Sequence, residues 1–423
     1  MAINNLLTPQ WISGKSLMSL EANCPTIQSM DNSSNDQFGQ PGMKIGDMMM
    51  KRKPQRFNTA DGPAYQPEGL NDTGVPLVMN NWSQVAFDWN SQEMAQSLDE
   101  IDSRYITPAG IALGNKLEYR ALNTAMLNTG QFVGTFGQTP GQSGTDAFQI
   151  WGAAAAKLQN NGFPMGKGQY NALLNPTQQL WWNAYSKAFF NSQDALGKQW
   201  KTGQISDALG LNWMVAQNVN IQTAGAFGGT PAVNGANQTG TSITINGCSN
   251  NITGWAKAGD IVSFPSIYRV FPQAPHQSTG VNFEAVLQAD VNTDGSGNAT
   301  LVLGEAIVPS GQYQNVTASP TNGDLIKVYN TAAAGQSALA GVSSAQGIVM
   351  HKTAFAYMFI PLEEPRGVDM AKEMRSPQSG ISVRFVRQYL GAPTDLWINR
   401  MDCVYGCSPQ YPEGSVRVPA GTL

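Results

Sequence analysis

The spacing of hydrophobic positions predicts one long helix near the end of the first third of the chain. After Thr107, apolar residues recur every four positions, at Ala109, Leu113, Leu117, Ala121 and Ala125. This is the period of a helix with one buried face. Thr107 and Pro108 are residues typical of a helix start, and Gly130 is typical of a helix end. At 1.5 Å per residue such a helix is about 30 Å long, enough to form the frame of a domain.

Shorter elements are predicted on both sides of this helix. A short helix is expected at Asn5–Leu20, a second helix at Asp146–Asn160 and a third at Gln178–Phe190. The continuous apolar run Tyr170–Leu174 predicts a buried strand. Residues 91–222 therefore have the pattern of an α+β domain with a helical half.

The pattern changes to short strands after Ala224. Alternating apolar segments such as Val281–Val291 and Ala299–Leu303 are separated by turn sequences such as Asp294–Gly297. This spacing predicts a small β-barrel or sandwich over residues 225–330. Longer apolar strands follow, at Ile348–Ile360, Ile381–Tyr389 and Leu396–Tyr405. We therefore interpret residues 225–330 as a domain inserted into another domain, whose two parts rejoin around it.

Composition excludes several classes of function. The chain has 423 residues, enough for two or three domains, but only 13% are charged and the net charge is −4. A dedicated nucleic-acid or membrane-surface binder needs a basic excess. No apolar run approaches the ~20 residues of a membrane span, and the N-terminus lacks the pattern of a signal peptide. The 44 glycines and 24 prolines indicate a turn-rich protein with polar but mostly uncharged surfaces, which suit large protein–protein contacts.

One basic cluster interrupts this charge-poor chain. It lies in the strand-like segment Met43–Asn58 and consists of Lys44, Lys51, Arg52, Lys53 and Arg56. Several prolines follow, so we predict a long two-stranded excursion over Met43–Phe87. The cluster is either a solvated basic hairpin or a segment that docks on an acidic neighbouring surface.

The sequence offers no convincing active site. His276 and His351 are the only histidines, and no G-x-S-x-G motif occurs. Asp290, Asn292 and Asp294 match the first half of a calcium loop, but Leu301 stands where the bidentate Glu is required, so a hairpin turn is favoured. Cys403 and Cys407 have no second Cys/His pair and are better explained as small residues of a strand. We expect no enzyme activity, no metal and no cofactor.

Three sequence blocks resemble a known family. They are Tyr268–Gly280, Asp294–Leu301 and Ala306–Pro320, and they resemble the coat proteins of short-tailed Salmonella-type bacteriophages and related prophages. The family shares a Lys-Gln-Ser-Thr-Gly turn, in which His276 replaces Lys here, and a Tyr-Gln-Asn-Val segment. Further similar positions include Phe355, Gly380–Arg384 and Arg400–Gly406.

This resemblance implies a fold and an order of domains. The fold would be α+β, the tailed-phage major capsid fold of the Hong Kong 97 type with an inserted all-β barrel domain. The resemblance places the domains in this order: an N-terminal arm at 1–42, an extended loop at 43–88, a peripheral domain with spine helix (108–128) and the first part of the axial domain at 89–224, the insertion at 225–330, and the remainder of both domains at 331–423.

The resemblance also implies a function and partners. Such a protein is made in the host cytoplasm and assembles into pentamers and hexamers of an icosahedral shell. A scaffolding protein would guide a precursor shell, a portal protein would join it, and the shell would expand as it encloses double-stranded DNA, which it contacts weakly. The alternative for the 225–330 segment is a β-rich binding protein of a tail or virion surface, of the adhesin type, which needs exposed aromatic residues along a groove.

Two groups of residues are candidates for contacts between subunits. The basic group is Lys51, Arg52, Lys53 and Arg56. By the resemblance, a loop of the insertion contacts a neighbouring capsomer, and the predicted hairpin Thr241–Thr253 is the candidate. Its polar residues are Thr241, Ser242, Thr244, Asn246, Asn250 and Asn251.

Overall fold

The computed structural model describes residues 9–33, 48–59, 61–63, 65, 67, 69–70, 73–90, 102–142, 146–166, 168–186, 208–391 and 396–421. The helices are α1 Pro9–Ala22, α2 Pro25–Ser29, α3 Thr107–Asn128, α4 Ala147–Asn160, α5 Pro176–Ser186 and α6 Ala333–Gln336. The strands are β1 Met48–Arg52, β2 Gly74–Val78, β3 Asn81–Asn90, β4 Gln131–Phe132, β5 Tyr170–Leu174, β6 Asn212–Val215, β7 Ile221–Thr223, β8 Gly229–Val233, β9 Gly240–Cys248, β10 Ile261–Val270, β11 Ser278–Val286, β12 Ala299–Ile307, β13 Lys327–Val328, β14 Ser343–His351, β15 Phe355–Ile360, β16 Met370–Arg375, β17 Ser382–Leu390, β18 Leu396–Pro409 and β19 Ser415–Ala420. The predicted α+β class is confirmed.

The chain forms two compact units. The first unit comprises residues 1–51, 74–122 and 355–410, and the second comprises residues 52–73, 123–354 and 411–423. No helix within the described residues is both long and apolar enough to cross a bilayer.

A five-stranded antiparallel sheet organises the first unit. Four of its strands follow the order β15–β18–β17–β16. The fifth strand, β3, pairs with residues 396–405 of β18, whereas β15 pairs with residues 404–409. The predicted strands near 381–389 and 396–405 are confirmed as β17 and β18. A separate two-stranded sheet of β1 and β2 confirms a two-stranded excursion, while residues 43–47 lie outside the described part. Its predicted limit at Phe87 is wrong, because Phe87 lies on β3 and pairs with Asn399 of β18 in the five-stranded sheet.

The long helix is confirmed at Thr107–Asn128, and its apolar stripe is buried as predicted. Thr107 does not begin the helical backbone, because a π-helical turn at Asp102–Ile106 precedes it. At the N-terminus the helix α1 begins at Pro9 and ends at Ala22, slightly later than predicted, and residues 1–8 lie outside the described part.

A six-stranded sheet of order β4–β19–β14–β5–β6, with β7 on β14, lies in the second unit. The buried strand predicted at Tyr170–Leu174 is confirmed: every residue is buried, and the strand lies between β14 and β6. Helix α4 is also confirmed, and the Asp146 carboxylate caps it by accepting a hydrogen bond from the Gln149 N–H at 3.0 Å. Helix α5 is confirmed over the described part of the predicted 178–190; it begins slightly earlier, at Pro176, and residues 187–190 lie outside the described part.

Two three-stranded sheets, β11–β10–β13 and β12–β9–β8, enclose another core of the second unit. Phe264, Phe283, Ile243 and Leu301 are among its fully buried residues. The core also includes Phe132, which precedes the predicted insertion in sequence. The domain limits 225 and 330 therefore stay a prediction.

Two strand predictions are wrong in detail. Thr241–Thr253 is not a hairpin, because β9 is the central strand of its sheet and pairs with β12 and β8 rather than with itself. Ile348–Ile360 is not one strand, because a turn after His351 separates β14 from β15, and the two strands belong to different sheets.

Candidate functional site

The first residue of the basic group is paired within its own unit. Lys51 lies on β1, and its Nζ contacts the Asp31 carboxylate and also lies 3.4 Å from Ser33 Oγ. Burial raises the pKa of Asp31, but the hydrogen bond from Lys51 and other donors outweigh it, so the pKa lies below its ordinary value. Arg52 follows on the same strand with an exposed side chain.

Lys53 and Arg56 contact residues of the second unit. The Lys53 Nζ lies 4.8 Å from the centre of the Tyr411 ring, and an Arg56 guanidinium nitrogen lies 3.6 Å from Glu413 Oε1. The Arg56 carbonyl also accepts a hydrogen bond from the Gln312 side chain. Burial, together with the nearby charge of Glu305, raises the pKa of Glu413. Part of the acidic surface expected opposite the basic group thus belongs to the same chain.

Two largely buried ion pairs stabilise the second unit, to which Arg56 also belongs. Arg269 on β10 donates two hydrogen bonds to the Glu305 carboxylate of β12, at 3.0 and 2.6 Å. Glu284 on β11 accepts a hydrogen bond from Lys157 of α4 at 2.6 Å. These charges connect four elements of the second unit, and each is compensated by a partner, as a buried charge requires.

The polar residues of β9 form an exposed face of their sheet. Ile243 and Ile245 point into the core with no exposed surface, and Ser242, Thr244 and Asn246 alternate with them on the other side. On β12, Val302 pairs with Ser242 and Thr300 pairs with Thr244. The Thr244 hydroxyl donates to the Asn234 carbonyl at 2.8 Å. We call Ser242, Thr244, Asn246, Thr300 and Val302 the β9 face.

Asn250 and Asn251 lie in a turn beyond this strand. The Asn251 N–H donates to the Asp294 carbonyl at 3.0 Å, so this turn is bonded to the predicted turn at Asp294–Gly297, which is confirmed. The six residues that were predicted to lie in one hairpin therefore lie in different places. Three lie on the β9 face, Thr241 lies at the start of the strand, and the two asparagines lie in the turn.

The oxygens considered for calcium hold the backbone of these turns. One carboxylate oxygen of Asp294 accepts hydrogen bonds from the N–H groups of Ser296 and Asn298, both at 2.8 Å. The Asp290 carboxylate accepts one from Ala258 at 2.8 Å, and the Asn292 side chain one from Gly254 at 2.7 Å. Within the described residues, no group of three or more His, Cys, Asp or Glu side chains is arranged to hold a metal ion.

Both histidines are engaged in local contacts. His276 Nδ1 lies 3.1 Å from the Phe271 carbonyl oxygen in an exposed loop. His351 lies against the rings of Phe163 and Tyr170, and burial lowers its pKa. Neither geometry indicates a general base.

Two buried carboxylates were not predicted from the sequence. Asp260 is fully buried in the second unit, where it accepts four hydrogen bonds. Glu118 is buried in the first unit and accepts a hydrogen bond from Thr26 of the N-terminal helix α2. The sequence does contain a signal for Glu118. Gly110, Gly114 and Glu118 are spaced four residues apart, so they lie on one face of the helix, and a charged residue there continues a stripe of two small residues. Asp260 has no comparable signal, because three of its four partners, Gln222, Gly225 and Tyr329, are distant in sequence.

The sequence matches the family model described as "P22 coat protein - gene protein 5" over residues 1–416. No curated protein matches the chain significantly. Among solved structures, it is similar to one from Mycobacterium phage Che8, with 12% identity, a TM-score of 0.46, and coverage of 93% of this chain and 90% of that one. It is also similar to the capsid of cyanophage P-SCSP1u, with 9% identity, a TM-score of 0.42, and coverage of 91% and 86%. A virus-like particle from Pyrococcus furiosus has 10% identity, a TM-score of 0.36, and coverage of 97% and 98%.

Proposed function

The chain belongs to the P22 coat protein family, and we propose that its copies assemble as pentamers and hexamers of an icosahedral shell in a short-tailed, Salmonella-type phage. It is a major capsid protein that forms the shell, and its α+β fold is that of tailed-phage capsid proteins. The assignment as a capsid protein rests on the family match over residues 1–416. A β-rich adhesin is not favoured, because the match extends far beyond residues 225–330 on both sides.

The proposed assembly requires further partners. A scaffolding protein guides a precursor shell, a portal protein occupies one site in it, and the shell expands as double-stranded DNA enters. The low charge content supports only weak, non-specific contact with DNA, since strong binding needs many cations opposite phosphates. The subunit acts structurally, in the virion, rather than as an enzyme.

Expression of the gene together with its phage neighbours tests the shell function directly. We expect closed particles of uniform size in electron micrographs of the purified product. Soluble subunits alone, formed in the presence of the scaffolding protein, would contradict the proposal.

Two surfaces are proposed for contacts between subunits. One is the basic group on and after β1. The other is the β9 face with the neighbouring turn at Asn250 and Asn251. The first supplies charge on a chain that has little of it, and the second is an uncharged sheet surface that a neighbouring subunit can cover without desolvating ions.

Changing Lys51, Arg52 and Lys53 together to Ala is expected to reduce the yield of closed shells at least severalfold while the subunit stays folded. The Lys51–Asp31 pair and the Lys53–Tyr411 contact are partly buried, and each is expected to stabilise the subunit by only about 1–2 kcal/mol, too little for their loss to unfold it. Particle counts by electron microscopy and the circular dichroism of the unassembled subunit measure the two effects.

A matched control changes three exposed cations elsewhere, Lys257, Lys352 and Arg366, to Ala. It removes the same charge and is expected to assemble normally. If both triple variants yield normal particles, the basic group is not a contact surface.

A further inference from the structure

The N-terminal helices lie directly against the long helix in the first unit. A Cβ atom at Gly110 would lie 3.0 Å from the Ser16 carbonyl oxygen, and one at Gly114 would lie 3.2 Å from that of Leu20. Both distances are shorter than ordinary contacts, so only glycine permits the backbone of α1 to come this close to α3. We call residues 14–31, which include most of α1 and all of α2, the N-terminal segment.

Glu118 lies one turn further along the same face of α3. Its side chain is 1% exposed, and its Oε1 accepts hydrogen bonds from both the N–H, at 3.0 Å, and the hydroxyl of Thr26. Thr26 lies in the first turn of α2, so the carboxylate holds the start of that helix. The other oxygen, Oε2, is buried and has no hydrogen-bond partner. The Cys24 thiol donates to the Gly114 carbonyl at 3.4 Å and adds a second polar contact.

No cation compensates this carboxylate among the described groups that influence its pKa. The titratable groups near this site are Glu21, Cys24 and Asp31 of the N-terminal segment, Tyr357 of β15 and Cys403 of β18. Arg120 of α3 and Asp402 act on Cys403, and their opposite charges shift its pKa in opposite directions. Burial raises the pKa of Glu118 to about 7, and the hydrogen bonds from the Thr26 hydroxyl and from the backbone of Thr26 and Ile27 oppose this only in part. Burial also raises the pKa of Cys24, Cys403 and Tyr357, so these groups stay neutral near pH 7.

We propose that Glu118 is a proton-controlled latch, which holds the N-terminal segment on the long helix when protonated and weakens this contact when charged. The geometry supports this because one carboxylate oxygen joins the two elements while the other is buried without a partner. A proton on the carboxyl removes the charge that this buried position cannot solvate.

The direction of the pH effect follows from proton binding. The ordinary pKa of a Glu carboxyl is 4.5, and the docked segment raises it to about 7, so the docked state binds more protons than the open state between these values. Docking is therefore strongest below the lower value and is progressively weakened as the pH rises to about 7. Above that pH docking is at its weakest, and its free energy no longer changes with pH.

Hydrogen exchange of the full-length, unassembled subunit tests the latch. After correction for intrinsic exchange rates, we expect the open fraction of the N-terminal segment to rise by about 10-fold or more between pH 5 and pH 8, since each unit of pKa shift is a factor of 10. Glu118→Gln cannot ionise and is expected to abolish this rise. Glu21→Gln, a matched change on the segment itself, is expected to retain it.

A second variant tests the latch independently, in case Glu118→Gln fails to fold. Thr26→Val removes the hydroxyl that stabilises the charged carboxylate, so it is expected to move the midpoint of opening to higher pH. The latch is refuted if the wild-type segment opens equally at both pH values, if Glu118→Gln keeps the rise, or if the Thr26→Val midpoint does not move upward. Because the measurement uses unassembled subunits, its failure would leave the shell function untouched.

Discussion

Replacing Asp260 by alanine is expected to lower the free energy of unfolding of the second unit by about 4 kcal/mol or more. One carboxylate oxygen accepts hydrogen bonds from Gln222 at 2.9 Å and from the Tyr329 hydroxyl at 2.8 Å. The other accepts from the backbone N–H groups of Gly225 at 3.0 Å and Lys257 at 2.8 Å. Alanine leaves four donors without their acceptor, and each unsatisfied buried group costs about 1–3 kcal/mol.

Burial of the charge opposes this stabilisation only in part. The pKa of Asp260 is raised by burial, so the native protein loses some free energy by ionising it. Asp260→Asn separates the two effects, because it removes the charge and keeps the volume. An amide nitrogen cannot accept from the two backbone N–H groups, so we expect Asn to be destabilising as well, though less than Ala.

Calorimetry of the unassembled subunit measures the change. For a unit of this size, a loss of 4 kcal/mol corresponds to a midpoint lower by about 10 °C. Asp290→Ala is the matched control, since Asp290 is exposed and accepts one backbone hydrogen bond, and its midpoint is expected to change by a few degrees at most. Equal midpoints for Asp260→Ala and Asp290→Ala would contradict the expected role of Asp260.

Features that depend on neighbouring residues were predictable from the sequence. The long helix has a buried stripe that repeats every turn, and β5 is a continuous apolar run, so the pattern of each element specifies its type. The turn at Asp294–Gly297 was predictable for the same reason, because Asp and Gly stabilise the turn locally.

Features that depend on distant residues were not predictable. The polar and apolar alternation of β9 indicates a strand but does not say that β12 is its partner, so the local reading as a hairpin was wrong. The basic group was recognised by its charge, yet its partners Asp31 and Glu413 lie in other parts of the chain. The resemblance identified the family, while the burial of Asp260 and Glu118 and the partners of both carboxylates became visible only in the structure.

Placing two negative charges on the β9 face is expected to prevent the formation of closed shells. Ser242→Glu and Thr300→Glu, made together, introduce charges at diagonal positions about 7 Å apart on neighbouring strands. In water their repulsion is only about 0.6 kcal/mol, so the subunit stays folded. If a neighbouring subunit covers this face, each contact must bury two unpaired charges, which costs several kcal/mol. A shell repeats its contacts in every subunit, so this penalty is multiplied over the whole particle.

Electron microscopy of the coexpressed product and thermal unfolding of the subunit distinguish loss of assembly from loss of folding. Ala318→Glu adds a charge at an exposed position of the same unit outside the β9 face, and Ser242→Gln with Thr300→Gln adds similar bulk without charge. We expect the charged double variant to give folded subunits and few or no shells, and both controls to assemble. Normal shells from the charged double variant would show that the β9 face stays open to solvent in the particle. Loss of shells in the Gln variant as well would mean that close packing, rather than desolvation of charge, governs this contact.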